Sequence, residues 1–187
     1  WLFRTRDFIP EYDKIYCVSE PVRKQVIARF PELADRTEVL LNFIDIKQVQ
    51  RRSEEPLSDP QYTGELKFLT VGRASEEKGY DIAVQITAEL KKRGLRFKWF
   101  IIGDGRDLNK LRTMAKEYQV EQEIIFLGMR ENPAPYVKSC DLYLQPSRHE
   151  GYPITIVEAR SLQKVIIASD IPSMREQIRD GENGYLC

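Results

Sequence analysis

Beyond residue 60 the chain alternates short apolar runs with longer segments whose apolar residues recur at helical spacing. The runs predict strands over residues 67–71, 98–102, 124–127, 142–144 and 165–168. Between the first two, residues 81–93 carry Ile82, Val84, Ile86, Ala88 and Leu90, with Gly94 as a stop. Between the second and third, residues 106–118 place Leu108, Leu111, Met114 and Ala115 on one stripe. Apolar strands separated by amphipathic helices form a parallel sheet covered on both faces, so the pattern predicts an α/β, doubly wound architecture. The leading segment differs: residues 14–19 read as a strand, 20–30 as a helix and 39–42 as a second strand. Residues 50–64 hold two prolines and few apolar side chains, which is linker composition. The expected organisation is a first unit over 1–50, a linker over 51–64 and a second domain over 65–187.

The densest chemistry follows the fourth of these strands. Pro146 ends it, and Pro153 suits the first turn of a helix, where its missing N–H costs nothing. Glu150 then hangs in the loop, and Glu158, eight residues on, lies one turn inside the helix. Gly151 between them lets backbone approach a ligand closely, and the free N–H groups of Ile154 and Thr155 point outward as an anion site. The predicted occupant is a diphosphate flanked by hydroxyl-binding carboxylates. Arg73 and Lys78 follow the first strand of the domain, at the carboxyl edge where doubly wound sheets bind ligands, and are the candidate phosphate cations. Gly72 and Lys78 have Walker spacing, but Glu77 stands at the second glycine position and Gly79 replaces the magnesium-binding Ser or Thr. Gly103 and Gly105 suggest dinucleotide binding, yet Leu108 occupies the third glycine position, and a tight turn into a helix accounts for them.

Composition narrows the function classes. In 187 residues, 29 Lys and Arg balance 29 Asp and Glu, so no global field favours nucleic acid. A hydrophobic content of 42% and a charged content of 31% suit one globular core. No apolar run is long enough to span a bilayer, and no signal peptide is visible. The chain opens on Trp1 and is expected to be a piece of something longer. Cys17, Cys140 and Cys187 lack metal or redox spacing, which points to a reducing, cytoplasmic setting and to core roles for Cys17 and Cys140. His149 is the only histidine, which excludes a site needing two imidazoles; it is expected to shape the pocket.

The glutamate pair resembles the E-x7-E signature of retaining glycosyltransferases of the GT-B type, family 4. Other motifs resemble that family in the same order. Val71, Gly72, Arg73, Lys78 and Gly79 look like its V-G-R-x4-K-G loop, and residues 101–105 like its central G-x-G turn. Residues 125–128, the pair Pro146 and Ser147, and residues 180–186 follow. The resemblance implies the Rossmann-like, donor-binding half of a GT-B fold, incomplete at both ends. Residues 1–50 then form the end of an acceptor-side domain whose bulk lies outside this chain. It also implies transfer of a hexose-type sugar from a nucleoside diphosphate, with Arg73, Lys78 and Glu150 catalytic. Donor contacts are implied for Gly72, Arg73, Lys78, Gly103, Glu150, Gly151, Tyr152, Pro153, Ile154 and Glu158, and base-lining contacts for Met129 and Arg130. Glu158 takes the ribose hydroxyls.

No metal or other cofactor is implied, since no D-x-D pair is present and cationic side chains with helix amides take its place. The implied partners are the nucleotide sugar and a carbohydrate or lipid-linked acceptor, which the missing domain binds. The implied setting is polysaccharide assembly in the cytoplasm, at the inner face of the membrane. Isolated, the chain is expected to bind donor weakly and to transfer nothing. Two departures stand out: Gln163 and Val165 where the family has Gly and Pro, and Ser173 where glycine is common. A noncatalytic doubly wound domain for nucleotide sensing or protein contact is the alternative; such a domain has no need of Arg73, Lys78, Glu150 and Glu158 together.

Overall fold

The computed structural model describes residues 12–64 and 66–187. The chain divides into two compact units, Trp1–Phe43 and Ile44–Cys187. In the smaller, strand β1 (Ile15–Cys17) pairs in parallel with β2 (Thr37–Val39), and helix α1 (Glu20–Arg29) lies between them in sequence. The Ser19 hydroxyl caps α1 by accepting from Val22 N, and Pro21 sits in the first turn. Cys17, Val26, Phe30 and Leu33 form a small core. The second strand starts and ends earlier than the apolar run 39–42 suggests. Its register with β1 ends at Cys17↔Val39, leaving Leu40 and Leu41 exposed.

The larger unit is built on six parallel strands in the order β5-β4-β3-β6-β7-β8. These are β3 (Lys67–Val71), β4 (Lys98–Ile102), β5 (Ile124–Gly128), β6 (Leu142–Gln145), β7 (Val165–Ala168) and β8 (Tyr185–Leu186). Successive residues of the central strands serve opposite faces, as the two-residue period of a strand requires. Phe68, Trp99 and Ile101 pack with Ala83 and Val84 of α3 (Tyr80–Lys92) and Leu111 and Ala115 of α4 (Leu108–Glu117). Leu69, Phe100 and Ile102 pack with Tyr136 and Val137 of α5 (Ala134–Ser139) and Ile156 and Ala159 of α6 (Ile154–Ser161). Two polar groups buried in this sheet are paired: Trp99 Nε1 donates to Thr70 Oγ1 at 2.9 Å, and that hydroxyl donates to Leu144 O at 2.6 Å. The chain winds outward from β3 through β4 to β5, then returns to the other side of β3 as β6. The β3/β6 junction is therefore the switch point, where the loops diverge and open a crevice.

All five expected strands of this unit are present, and α3 and α4 start and end within two residues of the expected bounds. Helix α2 (Ile46–Ser53) enters the region that reads as a linker. Asp45 caps it by accepting from Gln48 N at 3.0 Å, and it packs on α5 and α6. The rest of the supposed linker is tied down as well. The Tyr62 ring lies 4.5 Å from Phe100 and 5.1 Å from Tyr136, and its hydroxyl donates to Tyr136 O at 2.9 Å. Composition misleads here because the anchors are long-range partners, which a local window does not contain.

At the end of α6, Gln163 occupies the left-handed region with φ 56° and closes the turn that glycine usually closes. Lys164 N donates to Ala159 O at 3.0 Å and Gln163 N to Arg160 O at 2.9 Å, so the carbonyls are satisfied although a side chain carries about 1 kcal/mol of strain. Helix α7 (Pro172–Arg175) holds Ser173, which is buried.

Candidate functional site

The loop leaving β3 forms a short 3-10 turn at Glu76–Lys78 and ends at Gly79, with φ +66°. A Cβ on Gly79 would stand 2.0 Å from Pro146 O, so only glycine lets this loop lie against the segment leaving β6. The two segments are then stapled. Arg148 N donates to Glu77 O at 2.8 Å, and the Arg148 guanidinium takes both oxygens of Asp81 at 2.7 and 2.6 Å. That pairing holds the Asp81 carboxyl below the usual carboxylate range. Across the same seam Lys78 Nζ reaches Glu150, 2.7 Å from Oε1 and 2.9 Å from Oε2. The Glu150 side chain is 7% exposed and that of Lys78 23%. Oε1 also accepts from Gln145 Nε2 at 2.9 Å and from Ser147 Oγ at 2.7 Å. Lys78 and Glu150, proposed from sequence, are therefore in direct contact. Beneath them the buried Tyr80 hydroxyl has no hydrogen-bond partner among the described residues, and burial raises it well above the usual tyrosine range.

Beside this pair opens a cleft of about 380 Å³ at the carboxyl ends of β3, β4 and β5, lined by Gly72, Arg73, Gly103, Met129, Arg130 and their neighbours. Five of the sequence-predicted residues thus share one wall. The cleft and the ion pair adjoin, because a Cβ on Gly72 would lie 3.6 Å from Lys78 Cε. Arg73 and Met129 are exposed, whereas the Arg130 guanidinium is engaged within the protein. It donates to Asp59 Oδ2 at 3.1 and 2.8 Å, to the Tyr136 hydroxyl at 3.0 Å, and to Leu127 O. Its visible role is to anchor the segment carrying Asp59.

The α6 end of the site departs from expectation by one position. Pro153 is the N-cap rather than the first helical residue, so Ile154 opens the helix, and no side chain caps it. Gly151 and Tyr152 are half-buried in the preceding loop, and His149 is exposed. Glu158 lies one turn inside α6, half-buried; burial raises its carboxyl above the ordinary range while Arg52 opposes that shift. A raised acid favours the folded state fully below its unfolded value, and that contribution is lost as pH rises through the folded value. Ionised Glu158 is therefore a stability liability near neutrality. Glu158→Gln is expected to raise Tm at neutral pH, with the gain vanishing in acid below the ordinary glutamate range; thermal melts across pH measure it.

Gln145, Tyr80 and the Arg148–Asp81 staple escaped the sequence reading, and Ser147 entered it only as part of a motif, without its contact to Glu150. The available signal was a glutamine ending an otherwise apolar strand. Among the described residues no group of three or more His, Cys, Asp or Glu is arranged to hold a metal ion. Cys17 and Cys140 are free and buried in the two cores, and burial pushes the Cys140 thiol up to about 12. No helix of the described residues is long and apolar enough to cross a membrane.

The family described as Glycosyl transferases group 1 matches residues 52–187. An uncharacterized glycosyltransferase of Methanocaldococcus jannaschii is 30% identical over 165 residues, covering 86% of this chain and 40% of that protein. The lipopolysaccharide 1,6-galactosyltransferase of Salmonella typhimurium is 30% identical over 174 residues, covering 90% of this chain and 46% of its own length. The chain thus spans less than half the length of these relatives. The crystal structure of Anabaena HepE in complex with UDP superposes with a TM-score of 0.79 at 20% identity, covering 94% of this chain and 50% of that one, which shows a shared fold. With a doubly wound sheet matching one half of a GT-B glycosyltransferase and a family match over most of its length, this chain belongs to the group 1 glycosyltransferases.

Proposed function

We propose that this chain is the donor-binding half of a retaining, metal-independent family 4 glycosyltransferase, carrying the E-x7-E pair as Glu150 and Glu158. The observation that carries the reading is the Lys78–Glu150 contact at the switch point, on the same seam as the uncapped start of α6. An ammonium has three donors, and Glu150 takes two of them, so the third remains for a phosphate oxygen. Arg73 and the amides of Ile154 and Thr155 add cationic and dipolar character where the nucleoside diphosphate departs. Such donors stabilise the leaving group most as its charge grows, which is how they lower the barrier. Glu150 accepts from a hydroxyl of the donor sugar, and Glu158, an acceptor-only group, takes the ribose diol. Gly72, Gly103 and Gly151 give the backbone close access. Met129 and the backbone at Arg130 line the base, and Tyr152 and Pro153 shape the turn over the phosphates.

HepE was crystallised with UDP, which supports a uridine diphosphate donor. The relative named lipopolysaccharide 1,6-galactosyltransferase supports a role in polysaccharide or glycoconjugate assembly, which this reading places on the cytoplasmic side. In this reading the smaller unit, Trp1–Phe43, closes an acceptor-side domain, residues 44–50 going with the larger unit; the acceptor is a carbohydrate or lipid-linked sugar held by that domain, and the chain alone transfers nothing. The test is product stereochemistry. The full-length enzyme, given an α-linked nucleotide sugar in the presence of EDTA, is expected to yield an α-linked product by NMR. A β-linked product, or sugar transfer by the present chain alone, contradicts the proposal.

A further inference from the structure

Gln145 ends β6 and is 1% exposed, yet its carboxamide is bonded on both sides. Nε2 donates to Glu150 Oε1 at 2.9 Å and to Ser147 Oγ at 3.0 Å, and Oε1 accepts from the Tyr143 hydroxyl at 3.3 Å. The orientation is forced, because a carboxylate only accepts and the amine side must face it. Tyr143 is itself held: its hydroxyl accepts from Val71 N at 3.3 Å. A chain of contacts therefore runs from the end of β3 through Tyr143 and Gln145 to Glu150.

Its effect on Glu150 is asymmetric. Oε1 receives three donors, from Lys78, Gln145 and Ser147, whereas Oε2 receives Lys78 alone. The carboxylate cannot turn without breaking the Oε1 contacts, and its spare acceptor capacity lies on Oε2. A leucine would fill the Gln145 position without needing partners, so packing alone does not call for an amide there. We propose that Gln145 is a positioning residue, which clamps Glu150 Oε1 and so presents Oε2 to the donor sugar's hydroxyl. This rests on the donor-site reading above.

The test is calorimetric titration of this chain and of Gln145→Leu and Gln145→Glu. The probes are UDP-glucose, UDP-N-acetylglucosamine and GDP-mannose, each against its free nucleoside diphosphate. The best-bound nucleotide sugar should lose on the order of tenfold in affinity in Gln145→Leu, while the free diphosphate binds within about twofold of the native chain. Gln145→Glu puts a second carboxyl against Glu150. Its sugar-dependent affinity should be lost in mild alkali and return as the pH falls and the two carboxyls share one proton. A general loss of fold does not produce that profile. Equal losses for sugar and free diphosphate, or native sugar binding in both variants, overturn the assignment. So does a native chain that binds the diphosphate through Lys78 and gains nothing from any sugar. A native chain that binds none of the probes overturns the donor-site reading itself, and the role of Gln145 with it.

Discussion

Lys78→Ala is expected to reduce nucleoside diphosphate binding by roughly 10–100-fold, a loss of about 1.4–2.7 kcal/mol. The contact to phosphate is charge-assisted and sits at a water-poor seam, with the lysine side chain 23% exposed. Its removal also strands Glu150, whose negative charge then repels the incoming phosphates. Stability falls by about 1–2 kcal/mol rather than the 3–5 typical of a broken buried pair, because Gln145 and Ser147 still donate to Glu150 Oε1. Glu150→Gln is the informative partner. It frees the ammonium, so binding of the free diphosphate should hold or improve while the increment from the sugar disappears. Parallel calorimetry and denaturant melts separate these effects. Equal loss of diphosphate binding in both variants would indicate a collapsed loop rather than a lost contact.

Gly103→Ala is expected to destabilise the larger unit by on the order of 4 kcal/mol, a large share of the 5–15 kcal/mol that stabilises a typical domain. The new Cβ would meet Gly72 O at 1.9 Å and Gly72 C at 2.8 Å, both backbone atoms with no rotamer to relax into. The backbone at 103 also has φ +139°, which alanine does not adopt without strain. Moving either loop breaks the hydrogen bonds Gly72 N to Ile102 O and Gly103 N to Gly128 O, which set the spacing of the cleft. Gly94→Ala is the control. It has φ +81° with no atom within 4 Å of a Cβ, so only the backbone term of about 1 kcal/mol applies. Urea unfolding of the two variants should therefore differ severalfold. Similar losses would mean that the contact between the two loops is not what Gly103 secures.

Strands β3 to β7 were readable because each is a near-continuous apolar run between turn residues, buried from both sides. Helices α5 and α7 have six and four residues, too few for a period to show, and β8 has two. In the site, Lys78 and Glu150 could be picked out because their residue types and loop positions have a direct chemical use. Tyr80 could not, since only the fold sets it near Tyr143 and Glu150, more than sixty positions on; Gln145 could not, although its partners Tyr143, Ser147 and Glu150 lie within five positions, because residue spacing does not show that its side chain turns onto Glu150 at the end of β6. Arg130 shows the converse. The resemblance implied a base contact at Arg130, and its guanidinium is engaged by Tyr136, six positions on, and by Asp59, 71 positions back and outside any local window.

The most direct test of a nucleotide site at the carboxyl edge of this sheet is backbone amide NMR of the chain titrated with UDP, GDP and ADP without metal. One nucleotide should shift the amides of Gly72, Arg73, Lys78, Gly103, Gly151, Ile154 and Thr155, leaving Leu66, Leu95 and Gln122 at the amino edge unmoved. Shifts confined to the amino edge, or none in a folded sample at millimolar nucleotide, would contradict it.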